Sequence, residues 1–166
     1  MTAALAASTD APDLEGMNAF DFLFGCRWAV RHRRLKQRHV GSDEWYEFEG
    51  TSSCEPRLGG LANVEEAVME IGGMGMALRL FDPATREWSV YWVSSRDGAL
   101  QPPVRGRFQG PRCDLIGPDT DEGRPILARY VWSRTDTAEP RWEQAFSLDD
   151  GRTWETNWVM DFRRVE

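Results

Sequence analysis

Cysteine, histidine and lysine are all scarce in this chain of 166 residues, and each scarcity removes a class of chemistry. The cysteines Cys26, Cys54 and Cys113 are odd in number and lack Cys-x-x-Cys spacing, so neither a disulfide framework nor a tetrahedral zinc site is expected. Reduced thiols of this kind fit a cytoplasmic protein. The two histidines, His32 and His39, are seven positions apart and fall on opposite faces of a regular strand, so they form no chelating pair and no metal is expected. No apolar run approaches the roughly 20 residues that span a bilayer, and no Lys or Arg precedes the alanine-rich start. Neither a membrane span nor a signal peptide is expected. Lys36 is the one lysine against nineteen arginines, and 20 basic residues face 27 acidic ones, for a net charge of -7. That balance opposes nucleic acid and anionic membrane surfaces as partners, because both select clustered positive charge.

Sustained helical periodicity is also missing. The segment 1–13 is small and polar and reads as a disordered tail. Asn18 then precedes a short apolar run that stops at Gly25, which predicts one or two helical turns with Phe20, Leu23 and Phe24 on one face. From Arg27 onward, period-two runs rich in β-branched and aromatic residues are broken by turn residues at short intervals. Strands are expected near 26–38, 43–54, 61–71, 74–82, 86–95, 103–109, 112–116, 125–135, 140–148 and 153–164. Asp82-Pro-Ala-Thr85 and Asp149-Asp-Gly151 supply tight turns, so the strands they join must be antiparallel. Ten strands in up-and-down order would leave two unpaired edges in an open sheet, and closure removes them. The expected architecture is therefore one all-β domain over 14–166, an antiparallel barrel of about ten strands with a short N-terminal helix closing one end.

One aromatic face recurs across the second half, in the sets Trp88, Val90 and Trp92; Ile126, Ala128, Tyr130 and Trp132; Trp142, Gln144 and Phe146; and Trp154, Thr156, Trp158, Met160 and Phe162. Eight tryptophans of up to about 250 Å² each can fill a core without any ligand. Ser147-Leu-Asp149-Asp-Gly151-Arg-Thr153-Trp154 matches the Asp-box of sialidase propeller hairpins. Its physical content is a turn in which an aspartate accepts backbone hydrogen bonds while tryptophan packs beneath, and a single copy gives no support for sialidase activity.

Gly25-Cys26-Arg27-Trp28, opening the first strand after a short helix, resembles the lipocalin Gly-x-Trp signature with one extra residue. In the calycin and lipocalin superfamily that tryptophan closes the barrel floor and a late arginine stacks over it, a part that Arg163 or Arg164 would take. The span from Asn18 to Val165 also resembles a group of bacterial single-domain calycin-like proteins, through Gly72-Gly-Met-Gly-Met-Ala77, Phe81-Asp-Pro-Ala-Thr85 and Trp154-Glu-Thr-Asn-Trp158. This resemblance implies a fold without a known activity. Nitrobindin-type barrels of the same superfamily hold haem through a histidine late in the chain, and here none follows His39, so no cofactor is expected.

A barrel lumen makes a small, largely apolar organic molecule the expected ligand of a carrier or sensor. The candidate binding residues are His32, Arg34, Glu47, Trp92, Tyr130, Trp132, Gln144, Asn157 and Trp158. Of these, His32 is the best acid-base candidate, and a satisfied hydrogen-bonding role is the plainer account of it. Two alternatives stay open. A lumen carboxylate from Glu47 and Glu49, or from Glu66 and Glu70, would have its pKa raised by burial and could serve a cofactor-free isomerase or hydratase, although half-exposed carboxylates pairing with arginines are the plainer account. Outer-face aromatic residues could instead bury a homodimer interface around a fully packed barrel. The basic run Arg27, Arg31, Arg33, Arg34, Lys36 and Arg38 divides between both faces of a strand and reads as a solvated ribbon rather than an anion-binding stripe.

Overall fold

The computed structural model describes residues 14–165; the segment 1–13, assigned above to a disordered tail, lies outside the described residues. Alternation of small and bulky residues between tight turns produces one sheet of eleven hydrogen-bonded segments. They are β1 (Arg27–Leu35), β2 (Trp45–Arg57), β3 (Ala62–Met69), β4 (Gly73–Asp82), β5 (Glu87–Ser94), β6 (Val104–Gly106), β7 (Phe108–Gln109), β8 (Arg112–Asp121), β9 (Arg124–Ser133), β10 (Arg141–Ser147) and β11 (Glu155–Val165). Arg107 interrupts what is otherwise one strand, so β6 and β7 are its two pieces and the barrel has ten strands, as expected. Each strand pairs antiparallel with its sequence neighbours, and β1 also pairs with β11, which closes the meander on itself.

The two stretches that complete the circle differ in strength. Pairing of β1 with β11 runs without a break from Arg27 opposite Val165 to Arg34 opposite Trp158. On the far side, β6 meets β5 through Val90, Ser89 and Trp88, and meets β8 only through Arg105 opposite Ile116. This narrow seam depends on glycine. A Cβ at Gly106 would lie 2.0 Å from the Asp114 carbonyl oxygen, and one at Gly117 would lie 2.2 Å from that of Pro103, so only a bare backbone lets the strands approach.

Two boundaries depart from the sequence expectation for identifiable reasons. Strand β8 continues to Asp121 instead of stopping near 116, because Pro118 sits exposed within the ladder and the turn is made later by Glu122 (φ 48°) and Gly123 (φ 78°). On β11 the expected alternation from Trp154 to Phe162 is broken: pairing shifts between Gln144 and Ala145, leaving Asn157 as the extra residue of a bulge. Trp154 precedes the strand and belongs to the Asp-box turn. There Asp149 accepts from Thr153 Oγ1 at 2.6 Å, from the Thr153 amide at 2.8 Å and from Ser147 Oγ at 2.8 Å, and these bonds hold its carboxyl at a pKa of about 2. Trp154 donates to the Gly151 carbonyl at 3.1 Å, so the motif is structural, as its sequence content implied.

One end of the barrel is plugged by a 3-10 helix, Met17–Leu23, capped by Gly16 at φ 90° rather than by Asn18. Phe20 and Leu23 are fully buried, and Phe20 meets Trp88 and Phe108 edge to face at 4.9 and 5.0 Å between centroids. Two indole N–H groups tie the plug to the wall, Trp28 donating to the Leu23 carbonyl at 3.1 Å and Trp88 to that of Gly16 at 3.0 Å. Arg164, and not Arg163, stacks over Trp28, at 5.2 Å, and donates to the Phe22 carbonyl.

Gly106→Ala is expected to lower the urea midpoint by an amount equivalent to roughly 1–3 kcal/mol, the usual cost of forcing atoms into a closed contact. An unchanged midpoint would show that the seam tolerates a side chain.

Candidate functional site in the barrel lumen

Alternation decides which side chains face inward. On β1 the inward set includes Trp28, Val30 and His32; on β2 it includes Phe48, Ser52 and Cys54; on β4 it includes Ala77, Arg79 and Phe81. Above the plug the lumen keeps a narrow cavity of about 60 Å³. Ligand cavities usually hold about 300–1,000 Å³, so this one admits a ligand only as its wall side chains move apart. Its walls include Trp92, Trp132, Trp142, Trp158 and Tyr130, with Met69, Leu115 and Met160 between them. Trp92 packs against bare backbone, since a Cβ at Gly75 would lie 2.1 Å from its ring.

Six of the expected residues, His32, Trp92, Tyr130, Trp132, Gln144 and Trp158, line this space together. Arg34 lies at its edge, with its guanidinium carbon 4.2 Å from the centre of the Trp158 ring. Asn157 stands behind Gln144, whose amide donates to its Oδ1 at 2.8 Å. Glu47 is a correction: it lies on the outer face, exposed and paired with Arg31 at 2.5 Å. Phe48, Ser52 and Cys54 hold the inner face of β2, and that parity turns Glu47 and Glu49 outward together. Glu66 and Glu70 are exposed as well. Outer-face aromatics are covered in part by arginines, Arg33 lying over Trp45 at 5.8 Å and Arg129 over Trp154 at 4.3 Å.

The lumen carboxylate is Glu65, which sequence reasoning missed together with its partners. Its oxygens accept from Ser52 Oγ at 2.5 Å and from Arg79, and Arg79 also donates to Asn63 Oδ1 at 3.0 Å. The Arg79 and Glu65 side chains are only 4% and 7% exposed. Arg79 also lies over Phe20 at 4.8 Å and Trp132 at 5.9 Å, so the ion pair bridges the plug and the cavity. Arg79 Nε and Asn63 Nδ2 have no hydrogen-bond partner among the described residues. Burial pushes the neighbouring Cys54 thiol up to about 12, which makes it an inert wall. The available signal was an arginine inside the run Met76-Ala-Leu-Arg-Leu-Phe81. With leucines on one face and Ala77 and Phe81 on the other, nothing in that run says which side is buried.

His32 is fixed in one tautomer. An indole N–H can only donate, so the 3.1 Å bond from Trp158 Nε1 makes His32 Nδ1 an acceptor and leaves the hydrogen on Nε2. The ring stacks on Phe48 at 4.5 Å with planes 7° apart. Burial, and then the charge of Arg34, lower its pKa to about 4. His32 is thus a neutral donor. Neither lumen carboxylate chemistry nor His32 forms an acid-base couple here, since Glu65 is engaged by Ser52 and Arg79 and His32 by Trp158.

At the opposite end from the plug, the connection between β1 and β2 reaches across to β8 and β11. Arg38 grips Asp121 through two bonds of 2.8 Å, and the His39 ring nitrogen Nε2 meets the same carboxylate at 2.8 Å. The His39 amide donates to Glu155 at 2.9 Å. His39 therefore lies beyond β1, at φ 64°, rather than on a strand. Among the described residues, no group of three or more His, Cys, Asp or Glu is placed to hold a metal ion, and no helix is long and apolar enough to cross a membrane.

No protein-family model matches the chain, and no curated protein matches it. Among solved structures, the crystal structure of Rv2717c from M. tuberculosis aligns with a TM-score of 0.56 over 94% of this chain and 99% of its own, with 13% of residues identical. At that identity the likeness shows the fold alone, a closed antiparallel β-barrel.

Two outcomes follow from the lumen electrostatics. Because the folded pKa of His32, about 4, lies below its unfolded value near 6.5, the unfolded state binds more protons between these limits. Its contribution of about 3 kcal/mol is present above pH ~6.5 and drains away as pH falls toward ~4. His32→Gln should flatten the pH dependence of urea stability in that window, and identical slopes for the two proteins would refute the assignment. Glu65→Gln should cost on the order of 3–5 kcal/mol by leaving the Arg79 charge buried and uncompensated, whereas Glu65→Gln with Arg79→Met should recover much of that loss in the same melts.

Proposed function

We propose that this protein binds a small, largely apolar molecule in its barrel lumen, as a carrier or sensor. The observation that carries the reading is a narrow, unfilled lumen of about 60 Å³ walled by four tryptophans and Tyr130, with a few polar groups among them, which would open to a ligand as those side chains shift. A barrel needing only stability would gain by filling such space, since each lost contact in a void weakens packing. The tryptophan floor beneath Arg164 supports a kinship with the calycins, in which a lumen of this kind is the usual binding place. The acid-base enzyme reading has less support, because the lumen brings no free carboxylate to His32.

The test uses N-phenylnaphthylamine, a neutral apolar dye that fluoresces when it leaves water. The wild-type protein should bind it saturably. Ala77→Phe, which places a ring in the cavity wall where Ala77 is 6% exposed, should weaken binding at least about tenfold while the melting temperature shows the barrel intact. Absence of saturable binding, or binding indifferent to Ala77→Phe, would overturn the proposal.

A further inference from the structure

The interior keeps donors that its own acceptors do not take up. Both Glu65 oxygens, His32 Nδ1 and Asn157 Oδ1 each receive a hydrogen bond, while Arg79 Nε and Asn157 Nδ2 are buried without a partner among the described residues, Asn157 being 3% exposed. In either amide orientation the Gln144 and Asn157 pair keeps one spare N–H group and one spare oxygen, so the N–H group is not removed by exchanging them. An unpaired buried donor costs about 1–3 kcal/mol, so an interior that retains two of them suits a guest that brings acceptors.

Arg34 adds charge to this imbalance. Its guanidinium lies on the Trp158 ring, which is itself a wall of the cavity, and among the described residues it has no carboxylate partner. By contrast, Arg31, Arg38 and Arg79 on nearby elements each pair with an acid. Burial disfavours its charged form, Tyr46 opposes that effect, and the positive charges of Arg38 and Arg96 add to it. Asp119, on β8 toward the same end, acts on Tyr130 and not on Arg34, and burial raises its own pKa. A half-buried cation held by the Tyr46 side chain but with no carboxylate among the described residues, stacked on an aromatic wall, is completed by an anion.

We propose that the ligand of this lumen is an organic anion, with an apolar body between Trp92, Trp142 and Trp158 and its carboxylate or similar acidic group held at Arg34. The inference rests on the lumen-binding reading above and names its ligand class. The sulfonate of anilinonaphthalenesulfonate makes it the anionic counterpart of N-phenylnaphthylamine, so the pair isolates the charge.

In fluorescence titrations the wild-type protein should prefer the sulfonate by about tenfold, the size of one charge-assisted hydrogen bond, and Arg34→Gln should reduce the preference to about twofold or less. Arg34→Lys should keep part of it. Ala77→Phe should weaken both dyes, which separates lumen binding from adsorption on the outer wall. Salt supplies a measurement independent of any variant: the preference in the wild type should fall with ionic strength while affinity for the neutral dye does not. Equal affinity for the two dyes, or a preference that survives Arg34→Gln or high salt, would overturn the inference and leave lumen binding standing. Failure of the neutral dye to bind would overturn lumen binding and the inference with it.

Discussion

A closed barrel of ten antiparallel strands is wider than its own side chains readily fill, and the rest of this molecule answers that constraint. Barrel diameter grows with strand number, and about eight strands already leave an interior that side chains just fill or that holds one small ligand. Here three devices share the excess. A 3-10 helix pushes Phe20 and Leu23 into one end, the Arg79 and Glu65 ion pair crosses the section above it, and tryptophans occupy much of what is left. Space remains beyond them. Closure itself is secured unequally, by a continuous ladder between β1 and β11 and by a short seam at β6 where Gly106 and Gly117 allow backbone to meet backbone.

The polar groups of the interior follow from their place in this stack. Next to the plug, where aromatic rings exclude water, the charge of Arg79 is balanced by Glu65, helped by Ser52 and Asn63. Midway, His32 is kept neutral by burial and held by Trp158 and Phe48. Farther along the same strand, Arg34 follows on the same face with an aromatic ring beneath it and no acid opposite. Charge compensation is thus complete in the Arg79 and Glu65 pair near the closed end and in the Arg38 and Asp121 pair at the other, and is missing between them at Arg34. A fully packed structural barrel has no need of such a gap, because buried ion pairs are at best neutral against apolar packing.

Much of the architecture was legible because it rests on local signals. Alternation and turn residues such as Asp82-Pro83 and Asp149-Asp-Gly151 report on a few neighbouring residues, and they specified ten strands in the right order. Trp92, Tyr130, Trp132 and Trp158 line the cavity, and their sheer area makes an inward place favourable wherever alternation allows it. What stayed hidden depends on parity or on distant partners. Glu47 and Glu65 are both glutamates in mixed strands, and which one faces inward is decided by Phe48 and Cys54 on one strand and by Asn63 and Met69 on the other. The Arg79 pairing joins β4 to β3 through side chains that no short-range pattern links, and the shift at Asn157 appears only when β10 and β11 are laid side by side.

The overall acidity of the chain does not oppose an anionic guest. A net charge of -7 spread over the surface acts through solvent, where interactions fade beyond a screening length of about 8 Å at physiological salt. Arg34 acts instead at contact, within a wall of rings that water does not screen, so the local cation outweighs the distant anions. Nor does that cation have a competing acid, since Asp121 is held by Arg38 and His39 and Asp161 by Arg134 and Arg141. Asp121 and Asp161 are committed to arginines elsewhere and Asp119 acts on Tyr130, and it is that arrangement, more than the presence of Arg34 alone, that leaves one positive site beside the cavity without an acid.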